Sequence, residues 1–174
     1  MNSKFAMMAL LVGSAFASVA NAADGTINFV GRITDQACTI DPTTANQTVT
    51  LGAVRTGAFG PAGSVAAPTR FGITLTSCPA AVTTATLKFD GPTSTANSNL
   101  LALTPVTGVA EGVAIGIYEV DNSNLIPVGS GAKTKTLASG ANTTIEFVAK
   151  YVSTAATVKA GTANSVSNFT VSYN

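Results

Sequence analysis

Four carboxylates in the second half of the chain, Glu111, Glu119, Asp121 and Glu146, are the residue types from which a glycosidase would take its acid and its base or nucleophile. They are scattered over turn-rich segments, and a chain with eight acidic residues yields such a set by chance. Asp121-Asn122-Ser123-Asn124 has a calcium-loop flavour, but the spaced acids and closing Glu of an EF-hand are missing, so it reads as a solvated turn. The chain has no His and no Trp, and Cys occurs only at Cys38 and Cys78. Ser-His-Asp triads and Cys-His nucleophiles therefore cannot be assembled, and one Cys pair does not make a zinc site. Nine basic against eight acidic side chains, with no basic cluster, leave no footprint for nucleic acid or anionic lipid. Catalysis is not expected. Neither is a metal, a cofactor or a small-molecule substrate.

The remaining chemistry is the thiol pair, and the first residues make it readable. Lys4, the apolar run Phe5 to Phe16 and the small-x-small Ala20-Asn21-Ala22 have the layout of an export signal. The run is too short for a bilayer span of ~20 residues. Cleavage is expected after Ala22, leaving residues 23–174 as one mature domain with eight basic and eight acidic residues. In the oxidising compartment that export implies, Cys38 and Cys78 have one possible connectivity. A bridge closing a loop of that size contributes roughly 3–4 kcal/mol in the chain-entropy model.

The elements that carry these residues read as strands and turns. Thr occurs 26 times beside abundant Val and Ile, which favours pleated sheet over helix. Apolar residues alternate in Gln47–Leu51, with Val49 and Leu51 on one face, and again in Phe71–Leu75, Leu87–Phe89 and Val113–Tyr118. In Ile145–Tyr151 the residues Ile145, Phe147, Ala149 and Tyr151 share a face. Turn formers separate the runs, among them Asp41-Pro42, Gly60-Pro61, Asp90-Gly91-Pro92 and Gly129-Ser130-Gly131. No sustained 3.6-residue apolar period is present, so helix should be minor, and 155–163 reads as loop. Lys133 and Lys135 are expected to face solvent. This pattern predicts an all-β sandwich or barrel.

Both ends of the mature chain are patterned as well. Ile27, Phe29, Gly31 and Ile33 form one face near the start, broken by a glycine between large apolar residues, and Phe169, Val171 and Tyr173 form another at the end. Together with Cys38 and Cys78, the passage Phe147-Val148-Ala149-Lys150-Tyr151, the run Gly161-Thr162-Ala163-Asn164 and the penultimate Tyr173, these features give the whole mature chain a resemblance to structural pilins of chaperone–usher (type 1-like) fimbriae.

The resemblance implies an incomplete immunoglobulin-like β-sandwich lacking its final strand, completed in trans by donor-strand addition. Residues 23–35 would be an amino-terminal donor arm, with Ile27, Phe29, Gly31 and Ile33 facing a neighbour's groove, and 36–174 the body. Gly161, Phe169, Val171 and Tyr173 would border the groove and face a chaperone. The implied partners are identical or related pilin subunits, a periplasmic chaperone and an outer-membrane usher. The implied destination, after passage through the periplasm, is an extracellular fimbria supporting adhesion. Only Ala23–Thr26 precede Ile27, and Asp35 stands where another apolar residue would fit, so a rod subunit and a minor or terminator subunit remain open. A small carbohydrate-binding adhesin module is the other alternative, with few aromatic residues to make a sugar platform.

Overall fold

The computed structural model describes residues 25–31, 33, 37–138 and 140–174. The expected export signal and its cleavage point lie outside the described residues. Residues 25–31 and 33 carry no ladder, and their large apolar side chains are exposed: Ile27 by 78% and Phe29 by 92%.

The body is built from eight strands: β1 (Thr39–Ile40), β2 (Val65–Thr76), β3 (Thr84–Asp90), β4 (Val113–Glu119), β5 (Leu125–Ile126), β6 (Lys135–Thr136), β7 (Thr143–Ser153) and β8 (Asn168–Tyr173). Every ladder is antiparallel. One sheet has the order β1-β2-β7-β4-β5 and the other β6-β3-β8. The expected alternations fall in β2, β3, β4, β7 and β8, and their inward residues meet between the sheets: Ile73, Leu75, Leu87, Phe89, Ile117, Ile145 and Phe147 are all buried. Phe89 from the small sheet packs edge-on to Phe147 and Phe71 of the large one, with centroids 4.9 and 6.0 Å away. Edge-to-face stacking of this kind fixes how the two layers seat on each other.

Among the described residues, helix is confined to α1 (Pro42–Ala45) and a 3-10 turn at Thr56–Ala58. Asp41, expected simply as part of a turn, is the cap of α1, and its side chain accepts from Thr43 N at 2.8 Å. Those hydrogen bonds hold its carboxyl below the usual carboxylate range. The Cys38–Cys78 disulfide forms, closing 40 residues of sequence and tying β1 to the end of β2.

The structure adds to one local reading and corrects two others. The face of β7 opposite Phe147 is also buried: Val148 and Val152 pack with Ala114, Tyr118 and Leu100 in a second cluster. Leu100 comes from the connection between β3 and β4, so this cover could not be read from β7's own pattern. Gln47–Leu51 is extended and Val49 and Leu51 are half-buried, yet it joins no ladder. Its expected strand lacks a neighbour. Lys133 is exposed as expected, whereas Lys135 is half-buried.

The edges of the sandwich are treated unequally. β4 is flanked by β5 and by a bridge from Leu101 to Ile115, and β3 by β6. β2 is bordered by β1, by the Thr44 hydroxyl accepting from Thr74 N, and by a register shift between Ala66 and Thr69 that contains Pro68. Short strands, proline and bulges are the usual means of blunting an edge. Among the described residues, β8 has β3 on one side and no strand on the other.

Candidate functional site: a groove between two bare backbone edges

Across from the open side of β8 runs the segment 46–54. Among the described residues it makes no backbone hydrogen bond to any other part of the chain. A stretch of nine residues without a ladder, turning at Gly52 (φ +75°), is uncommon, because backbone N–H and C=O groups are obligatory hydrogen-bonding groups. Between this segment and residues 163–169 lies a groove of about 730 Å³ whose floor is the sandwich core: Phe71, Ile73, Phe89, Ile115, Ile117 and Phe169 line it. A second cavity of about 350 Å³ continues it toward Val54, Phe59, Val113 and Gly161. Gly52, Tyr151, Ala163 and Asn164 border both, at their junction.

Each wall has a local cause. The 163–167 stretch is held from behind, with Thr104 N donating to Asn164 O at 2.7 Å, Ser165 Oγ to Ala102 O at 2.6 Å and Ser167 Oγ to Asp90 O at 3.0 Å. Its other side is left free. Tyr151 spans the floor at the junction, its hydroxyl donating to Ala163 O at 3.2 Å, and burial pushes that phenol above its ordinary value. At the far end of β8, the Tyr173 hydroxyl donates to Cys38 O at 3.5 Å, joining the last strand to the disulfide.

The residues singled out from the sequence fall as follows. Phe169 lines the larger cavity and Gly161 the smaller. Val171 and Tyr173 are half-buried on the same face of β8, packed on the core beyond the cavity lining. Gly161 is glycine for a reason not visible locally. A Cβ there would press on the Gly108 carbonyl and lie 2.5 Å from Ala110 N, where the 104–112 loop docks through Ala110 N to Thr162 O and Thr162 N to Gly108 O, both 2.9 Å. Gly31 is the reverse case, since a Cβ on it would meet nothing within 4 Å. Nothing within the described chain demands a glycine there. Sequence reasoning missed Leu101, Ile115 and Gly52 as groove-lining residues, and the alternation of Val49 and Leu51 without a partner was the one local signal that could have pointed to the wall.

The four carboxylates do not converge. Glu111 pairs with Lys159 (2.7 Å) and Glu146 with Arg70 (3.5 Å), both on the surface. Asp121 accepts from Ser123 N, Asn124 N and Lys133 Nζ in the β4–β5 turn, which holds it far below the usual carboxylate range. Glu119 is buried at the end of β4, its Oε1 accepting from Lys133 N at 2.6 Å. Among the described residues no group of three or more acids, Cys or His is placed to hold a metal ion.

Known proteins share this architecture. The family model described as "Fimbrial protein" matches residues 27–174. Long polar fimbria protein A of Salmonella typhimurium is 37% identical over 171 residues, covering 97% of this chain and 94% of its own. A solved antigen and type I fimbria protein of Burkholderia pseudomallei is 39% identical with a TM-score of 0.61, over 86% of this chain and 97% of that one. The P pilus rod subunit PapA superposes with a TM-score of 0.65 at 25% identity, over 79% of this chain and 99% of that one. The body is thus the immunoglobulin-like sandwich of pilins, and the chain belongs to the fimbrial protein family.

Proposed function

We propose that the chain is a structural subunit of a cell-surface fimbria, and that copies join by strand addition, with residues 25–33 of one lying in the groove of the next. The observation that carries this is the pair of bare edges, 46–54 and β8, facing each other over an open core. A single extended strand laid between them would meet the unpaired backbone on both sides and cover the apolar floor in one step. The exposed arm supplies alternating Ile27, Phe29, Gly31 and Ile33. Ile27 to Ile33 spans about 23 Å at ~3.3 Å per residue, within the roughly 30 Å of the nine-residue wall.

The groove's shape argues for a register. Gly31, which has no side chain, is assigned to the junction of the two cavities at Tyr151. Phe29 and Ile27 then enter the larger cavity and Ile33 the smaller, so that the donor runs antiparallel to β8. Burying these three side chains contributes about 1.5–3 kcal/mol each. Ordering the arm costs roughly 1–2 kcal/mol per residue, so the added backbone bonds matter to the balance.

A groove this apolar needs a cover before a second copy arrives. A periplasmic chaperone lending a strand against Phe169, Val171 and Tyr173, near Gly161, with later exchange at an outer-membrane usher, meets that need and follows from the family. The product is an extracellular fimbria that supports adhesion. Deletion of Ala23–Ile33 is the test: the truncated chain is expected to accept an arm and cap a fibre without extending it. Continued polymerisation of the truncation would refute the donor assignment.

A further inference from the structure

We infer that Gln47 is a positioning residue for strand addition, holding the unpaired 46–54 wall where its backbone can meet an incoming strand. The inference rests on the strand-addition reading above. Gln47 Nε2 donates to Gly72 O of β2 at 2.9 Å and to Thr44 O at 3.0 Å. Both partners are carbonyls, which fixes the amide nitrogen as the atom facing them. Upstream, the chain is tied down twice, by Asp41 N to Thr74 O and by Thr74 N to Thr44 Oγ1. The next tie to a sheet strand is Ser153 Oγ to Pro61 O at 2.9 Å, followed by Gly63 N to Ser153 O at 2.8 Å. Among the described residues from Asn46 to Gly60, Gln47 makes the one hydrogen bond to a sheet; otherwise Leu51, Val54 and Phe59 hold the stretch by packing.

Apolar packing fixes depth but tolerates sliding and rotation, whereas a ladder needs backbones aligned at ~4.8 Å spacing. The amide supplies the directional restraint. It is exposed, and its loss removes nothing from the core.

The experiment uses the refolded mature chain and a synthetic peptide of residues 25–35, following formation of a peptide-filled complex over time. Relative to wild type, Gln47→Leu is expected to take up the peptide about five-fold more slowly, the rate equivalent of one hydrogen bond. Gln47→Lys, which keeps an N–H donor within reach of Gly72 O, is expected to recover most of the rate. The peptide-filled form of Gln47→Leu should unfold within about 2 °C of wild type. Wild-type uptake by Gln47→Leu, no recovery in Gln47→Lys, or a fall in unfolding temperature matching the slower uptake would each overturn the positioning role. A wild-type chain that takes up no peptide overturns the strand-addition reading itself, and this inference with it.

Discussion

Gly31 and Gly161 are both glycines in the pattern that marks the chain, and the reasons differ. Gly161 is required from within, because the 108–110 backbone occupies the space of its Cβ. Gly31 has no such neighbour within 4 Å, so on the strand-addition proposal its requirement belongs to the assembled state. Gly31→Leu should therefore leave the fold of the subunit untouched while slowing fibre growth at least ten-fold. Circular dichroism and an assembly time course separate the two, and unchanged growth would count against placing Gly31 at the junction.

Lys150 is a second case of a residue explained only in three dimensions. It is buried, with Nζ donating to Asn122 O at 2.5 Å and lying 3.8 Å from the centroid of the Tyr118 ring. Burial lowers its pKa below 10.5, partly offset by the charge of Asp121. The folded chain then gives up this proton at lower pH than the unfolded chain, so the contribution of Lys150 to stability grows as pH rises toward 10.5 and is lost as pH falls through the folded value. Burial raises Tyr118, Tyr151 and Tyr173, which act with the opposite sign above their ordinary value of 10.0. Urea unfolding of wild type and Lys150→Met between about pH 8 and about pH 10 isolates the lysine. The wild-type advantage over the variant should grow with pH, and a constant difference would contradict the assignment.

Among the elements, legibility followed locality. The Ile145–Tyr151 face of β7 was plain from alternation, because one strand face needs only its own sequence to be recognised. Its second face was hidden, since Leu100 reaches it from a connection some fifty residues away in the chain. The alternation of Val49 and Leu51 was legible too, but a ladder is a property of two strands, and no pattern within 46–54 announces that the second one is missing. The sequence thus picked out Phe169 and Gly161 of the groove lining and the strands that carry its floor, but not the groove itself. Asp41-Pro42 showed the limit of turn chemistry, where the same residues that start a turn also cap a helix. The disulfide anchors the element that precedes the wall. Reduction, or Cys38→Ser with Cys78→Ser, should cost roughly 3–4 kcal/mol in the strand-filled form. A loss below about 1 kcal/mol by urea titration would show that β1 is held without it.

At the scale of the molecule, the proposed pairing of the 25–33 arm of one copy with the groove of another is a head-to-tail interface, which does not close on itself and would generate a fibre. A donor strand laid in the groove would cover Phe71 and Phe169, which are half-buried without it. On the strand-addition proposal, release would strip the groove of its cover, and such fibres would persist through a slow rate more than through an equilibrium constant. The even balance of charge and its low total keep repulsion between stacked copies small.

The most direct measurement places a photocrosslinking benzoylphenylalanine at Phe29 in assembled fibres made from a mixture of isotopically light and heavy subunits. Crosslinks from Phe29 to 46–54 or to 151–169 that join light to heavy chains are the predicted result. Crosslinks confined within single chains would contradict completion of one copy by another.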